Sequence, residues 1–161
     1  MSLPRCYVAS PLGFSEGGRH YYREVYLPAL SGVVDPVDPW TLTTDDEVAE
    51  AHAAGRHREM SLEIARRNAV AIRSCTMLAA YLEGQEPDAG TVAEIGYGAA
   101  LDLTCFGLRT DFREAGEAGV VVNLQVEGFI EQSGGRICTS LDELVAALEL
   151  AARRAPLGVA V

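Results

Sequence analysis

The run TMLAAYLE, residues 76–83, is apolar at almost every position. A strand with one wet face alternates apolar and polar residues; this one does not, so it has to be covered on both faces. Helices on both faces of a parallel sheet provide that cover. The flanking segments fit. From about Asp46 to Cys75 the chain has no proline and a helical pattern that includes Glu59, Ile64, Ala65, Asn68 and Ile72, with Gly55 dividing it into two helices. After the apolar run, small residues predict a helix over 90–103.

The same alternation extends along the chain. RCYVAS (5–10) reads as a first strand and RHYYREVYLPALSG (19–32) as a helix. A short strand opens at Val33 and is broken into a loop by Pro36 and Pro39. TCFGLRT (104–110) reads as a strand, DFREAGEAG (111–119) as a polar loop, and VVVNL (120–124) as a further strand entering a helix near 125–132. SLDELVAALELAARRA (140–155) closes the pattern as an amphipathic helix capped by Ser140. The order predicts an α/β domain around a central parallel sheet. A length of 161 residues with 48% hydrophobic and 22% charged residues suits a single domain over 1–161.

Charge and composition narrow the chemistry. A formal net charge of −10 disfavours binding to a phosphate backbone, so nucleic acid polymers are not expected partners. No run of about 18 apolar residues predicts a membrane span, and the N-terminus lacks the apolar core of a signal peptide, which reads as cytoplasmic. Cys6, Cys75, Cys105 and Cys138 are irregularly spaced and predict reduced, mostly buried thiols. Neither they nor His20, His52 and His57 form a metal-ligand pattern, so no metal and no cofactor is expected. Glycine-rich dinucleotide and P-loop fingerprints are missing.

In an open parallel sheet, ligands gather beyond the carboxyl ends of the strands. PDAGTVAEIGYGAAL (87–101) puts two carboxylates, Asp88 and Glu94, in that position, and the first strand brings Tyr7 toward it. Acids are also what helix electrostatics favours at a helix start. A carboxylate pair beside a cleft suits glycosyl transfer, one member attacking a sugar carbon of oxocarbenium-like character. Helix dipole and neighbouring amides are expected to keep Glu94 ionised. Tyr7 is open to a second reading as a core aromatic, and Asn123 as a turn or cap residue. Arg109 and Arg113 with Asp111 and Glu114 read as a solvated or interfacial ion-pair group.

CYVASPLGF, ARRNAVAIRSCTMLAAYLEG, DAGTVAEIGYGAAL, GLRTDFREAGE and VVNLQVEGFI occur in the order and spacing that resemble the nucleoside 2-deoxyribosyltransferase family. The most specific part is Asp-x-Gly-x-x-x-Glu-x-Gly-Tyr, starting at Asp88. The resemblance implies a doubly wound, Rossmann- or flavodoxin-like sheet and a ping-pong exchange of 2-deoxyribose between nucleobases, with 2′-deoxynucleosides and free bases as substrates. It gives Glu94 the place of the nucleophile, Tyr7 that of a tyrosine close to it, and Asp88 with Gly90 that of the 5′-hydroxyl site. Asn123 falls where an asparagine reaches the 5′ end in a neighbouring subunit's site, implying a dimer or larger homo-oligomer, and Gln125, also a substrate-binding candidate, stands where some relatives have Met. Asn68 stands where the family often has an Asp that contacts the base, and Phe14 is left as the base-stacking aromatic. The same resemblance admits an N-glycosidase that delivers the sugar to water, or a non-catalytic nucleoside-binding module.

Overall fold

The apolar run forms the strand Met77–Tyr81 at the centre of a five-stranded, all-parallel sheet. The structure, a computed structural model, describes residues 2–154. The strands are β1 (Arg5–Ala9), β2 (Asp35–Val37), β3 (Met77–Tyr81), β4 (Thr104–Leu108) and β5 (Ile137–Cys138), in the order β2-β1-β3-β4-β5. This is a flavodoxin-like order, which reverses between β1 and β3.

Alternate residues of each central strand enter different cores, as a doubly covered sheet requires. Cys6, Val8, Met77, Ala79, Phe106 and Leu108 face one side. There they meet α1 (Glu16–Tyr21), a π-helical turn (Tyr22–Tyr26), α2 (Leu27–Ser31) and α7 (Leu141–Arg154), through Tyr22, Tyr26, Leu30, Leu144 and Leu148. Tyr7, Ala9, Leu78, Ala80 and Cys105 face the other side, against α4 (His57–Arg73), α5 (Ala89–Ala100) and α6 (Leu124–Gln132). Helix α3 (Asp45–Ala53) precedes α4, and Gly55, at φ +71°, makes the expected break between them. Thr44 opens α3 with a capping box to Glu47. The Ser140 hydroxyl accepts from the Glu143 N–H at 3.1 Å to cap α7, of which Ala155 lies outside the described residues. All four cysteines are free and buried. Among the described residues, no helix is long and apolar enough to cross a membrane.

Two expectations are corrected. Pro36 does not end the second strand but lies inside it, because β2 is an edge strand and pairs only with β1, Pro36 opposite Cys6. VVVNL is not a strand. Val122 drops into the core beside Val126 and Ile130, and Asn123 caps α6. The run's backbone donors go to side chains, with the Val121 N–H on Glu127 Oε2 and the Leu124 N–H on Glu117 Oε2. The fifth strand is instead the two-residue pair Ile137–Cys138, which follows Gly134 and Gly135 and is too short for a periodicity to reveal.

Candidate active site

Helix α5 starts just beyond the carboxyl end of β3, and Asp88 is its N-cap. One carboxylate oxygen, Oδ2, accepts from the Thr91 N–H at 2.9 Å and the Thr91 hydroxyl at 3.2 Å. No bond among the described residues engages the other oxygen. Gly90 makes room for this cap, since a Cβ there would stand 3.0 Å from Oδ2.

Glu94 is the sixth residue of α5 and faces back toward β1. The Tyr7 hydroxyl donates to its Oε1 at 2.6 Å, across 87 residues of sequence. That contact exists because β1 and β3 pair side by side, Tyr7 opposite Leu78, and α5 packs over both. Tyr7 is fully buried, yet its hydroxyl points at a carboxylate rather than into the core. Burial and the adjacent Glu94 charge push its pKa upward, so it remains a donor.

The expectation of an ionised Glu94 is corrected. Burial pushes the Glu94 carboxyl up to about 7; the Asp88 charge acts in the same direction, while the Tyr7 hydroxyl and the Asn68 amide pull it down. The helix dipole fades within the first turn, and Glu94 lies in the second. Desolvation therefore outweighs the favourable contacts. Asn68 projects from α4 beside Glu94, and its Oδ1 is buried with no partner among the described residues. An unpaired acceptor beside a half-protonated carboxyl is a place for a ligand's donor.

The opposing neighbours of Glu94 give a testable pair. Tyr7→Phe removes a stabiliser of the carboxylate and is expected to raise the Glu94 pKa; Asp88→Asn removes a repelling charge and is expected to lower it. Carbon-13 titration of the Glu94 carboxyl reads both. Shifts in the same direction in the two variants would contradict this assignment of causes.

The other expected site residues divide. Phe14 is 75% exposed beyond β1 and meets Trp40 edge to face, ring centroids 4.8 Å apart. Leu12, two residues before Phe14, is turned into the core. Asn123 and Gln125 are exposed at the start of α6, where Asn123 Oδ1 accepts from the Gln125 N–H at 3.0 Å. No hydrogen bond among the described residues joins either to Tyr7, Asp88 or Glu94. Among the described residues, no group of His, Cys, Asp and Glu is gathered as metal ligands.

Arg109 is a correction. It is 3% exposed and belongs to no ion pair among the described residues. Its guanidinium donates to the carbonyls of Leu82 (2.7 Å), Gly84 (2.8 Å) and Arg113 (2.7 Å), tying the loop that leads to Asp88 to the loop after β4. Glu83 reciprocates, accepting from the Thr110 N–H at 2.6 Å and the Asp111 N–H at 2.8 Å. Only Arg113, paired with Asp111, is the expected exposed ion pair. A cavity of about 720 Å³ opens at the other end of the sheet, against Thr76, Thr104 and α7, with Arg136 and Arg154 as its ionisable lining groups among the described residues. No carboxylate lines it among the described residues.

Known structures share this architecture. The 2-desoxiribosyltransferase of Leishmania mexicana superposes with a TM-score of 0.66 at 24% identity, covering 94% of this chain and 99% of that one. The 2-deoxyribosyltransferase of Bacillus psychrosaccharolyticus gives 0.59 at 16% identity over 89% and 95%. A CMP N-glycosidase of Clostridium botulinum gives 0.55 at 16% identity over 91% and 98%. No curated protein matches the chain. The nucleoside 2-deoxyribosyltransferase family model matches residues 6–135, a span that holds Tyr7, Asn68, Asp88 and Glu94 as well as four of the five strands, and the chain belongs to that family.

Proposed function

We propose that the protein cleaves the N-glycosidic bond of 2′-deoxynucleosides and transfers the 2-deoxyribosyl group to another nucleobase through an ester on Glu94. The observation that carries this reading is the 2.6 Å contact of the buried Tyr7 hydroxyl with Glu94, beside Asp88 at the carboxyl end of the sheet. A Glu94 oxygen attacks C1′ while the bond to the base nitrogen breaks; the base leaves with the electron pair and takes up a proton. An incoming base then displaces Glu94 from C1′ with its ring nitrogen and releases that nitrogen's proton, balancing the proton taken up by the first base. The Tyr7 hydroxyl orients the carboxylate, and the unpaired Asn68 Oδ1 accepts from the substrate. Asn68 has no carboxyl proton to give, so the leaving base is not protonated from that position. Asn123, exposed at the start of α6, reaches the sugar's 5′ end in the site of a neighbouring subunit in a homo-oligomer.

The free oxygen of Asp88 suits a sugar 5′-hydroxyl. A 5′-phosphate a few ångström from it would be repelled by about 1 to 4 kcal/mol, depending on the effective dielectric. Incubation of a 2′-deoxynucleoside with a foreign free base is therefore expected to yield the exchanged nucleoside, with the 5′-monophosphate a poor substrate and Asp88→Ser narrowing the difference. Free sugar without exchange would make the protein an N-glycosidase. Neither product, with binding retained, would make it a nucleoside-binding module. Equal use of nucleoside and nucleotide would remove Asp88 from the 5′ end.

A further inference from the structure

A second carboxylate stands at the carboxyl end of the neighbouring strand. Asp38 directly follows Val37, which pairs with Tyr7. Its Oδ1 accepts from the Tyr22 hydroxyl at 2.9 Å and from the Trp40 backbone N–H at 2.9 Å. Tyr22 is 3% exposed and opens the π-helical turn between α1 and α2, a widened turn of a kind frequent at functional sites. The hydroxyl of a buried ring thus fixes one oxygen of Asp38. No bond among the described residues engages Oδ2.

Asp38 lines a cavity of about 500 Å³ together with Gly13, Arg19, Tyr22 and Trp40, a volume in the range of small-molecule sites. The indole of Trp40 forms one wall. It closes on the loop after β1 only because residue 13 is glycine, where a Cβ would lie 2.3 Å from the ring. Arg19 steadies that loop by donating to the Gly13 carbonyl at 3.1 Å. The cavity lies at the same end of the sheet as the Tyr7–Glu94 pair: Gly13 belongs to the loop after β1, and Asp38 directly follows the residue that pairs with Tyr7. A base whose sugar carbon lies at Glu94 extends toward Asp38.

We propose, resting on the transfer reading above, that Asp38 reads the nucleobase: its free Oδ2 accepts an N–H from the exocyclic amino group of adenine or cytosine, so that amino bases are chosen over the corresponding oxo bases. Tyr22 is its positioning residue. An oxo base turns a carbonyl lone pair toward the carboxylate at the same place, leaving both acceptors unpaired, and sites built to pair a polar group discriminate strongly against its absence. A hydrogen bond to a charged group corresponds to a preference of about 10- to 100-fold.

Asp38→Asn tests this with little disturbance, because it keeps Oδ1 for Tyr22 and Trp40 and turns only the free oxygen into a donor. Two quantities are read: the kcat/KM ratios of deoxyadenosine to deoxyinosine and of deoxycytidine to deoxyuridine, and the calorimetric affinities of free adenine and hypoxanthine. The unaltered protein is expected to favour the amino member about tenfold or more in both, and Asp38→Asn to shift the preference toward the oxo member by a similar factor. Tyr22→Phe is expected to reduce the discrimination while leaving the fold intact by circular dichroism. Turnover that Glu94→Gln abolishes, with amino-to-oxo ratios unmoved by Asp38→Asn, overturns the role of Asp38 and leaves the transfer reading standing. Adenine binding that depends on Asp38 in a protein that turns over no nucleoside upholds the base-reading role and overturns transfer. Neither turnover nor binding of a free base overturns both.

Discussion

Glu94→Gln is expected to abolish base exchange and, at the same time, to make the protein more stable at pH 8. A glutamine keeps the size of the side chain and an oxygen for the Tyr7 hydroxyl but cannot form the glycosyl ester, so turnover is expected to fall by about three or more orders of magnitude. The stability effect has the opposite sign to that of an ordinary structural acid. The native carboxyl holds its proton up to about 7, against 4.5 for the free side chain. Between those values the native state binds more protons than the unfolded chain, and the free energy of unfolding falls as pH rises through the window. The full cost of ionising the buried group is present above pH 7 and is of the order of 3 kcal/mol. Glutamine, neutral throughout, avoids it. The variant should be more stable by about 1 to 3 kcal/mol at pH 8, with the difference vanishing near pH 4, where the native carboxyl is neutral as well. Urea denaturation across pH reads this, and a slow 2-fluoro sugar analogue should leave its mass on the peptide containing Glu94 in the unaltered protein alone. Exchange at a near-normal rate in Glu94→Gln would remove Glu94 as nucleophile. A stability difference from the unaltered protein no larger at pH 8 than at pH 4 would show that burial does not control the carboxyl.

The same physics explains what the sequence disclosed. TMLAAYLE could be read because four consecutive side chains, Met77 to Ala80, are buried on alternating faces, so the requirement of two helical layers is written into the run. Asp88 and Glu94 could be read because both lie on one helix start, where spacing in sequence is spacing in space. Tyr7 could be placed beside them through the sheet, although its partner is 87 residues away. The failures are of another kind. A raised pKa belongs to a neighbourhood, and the amino acid letters around Glu94 suggested the dipole while the packed core imposed desolvation. VVVNL has strand composition, but its backbone donors are answered by Glu117 and Glu127, side chains that no periodicity identifies as acceptors. Asp38 lay hidden between two prolines in what read as a loop, and only the edge pairing of β2 with β1 brings it to the crevice. Arg109 sits in a run of charges that reads as solvated surface.

Arg109 is also the residue whose loss is expected to cost the most stability. Two nitrogens of the buried Arg109 guanidinium make three bonds, to the carbonyls of Leu82, Gly84 and Arg113, while its Nε has no partner among the described residues. Hydrogen bonds to a charged group contribute about 1.5 to 3 kcal/mol each, and an acceptor left buried without a donor costs about 1 to 3 kcal/mol. Arg109→Met fills similar volume but leaves all three carbonyls unanswered, and since they partly reach water on relaxing, a net loss of about 3 to 5 kcal/mol is expected. Arg109→Lys should recover only part of it, because one ammonium cannot span carbonyls that a planar fork reaches together. The effect should extend to chemistry. Leu82 and Gly84 begin the loop that ends at the Asp88 cap, so releasing them frees the carboxylate proposed to hold the sugar. Urea denaturation is expected to place Arg109→Met well below Arg109→Lys and both below the unaltered protein. In Arg109→Lys, assayed where it is fully folded, KM for the deoxynucleoside should rise and the preference over the 5′-monophosphate should shrink, as in Asp88→Ser. A loss under about 1 kcal/mol in Arg109→Met would mean that water replaces the guanidinium without cost, and that the two loops are held by Glu83 alone.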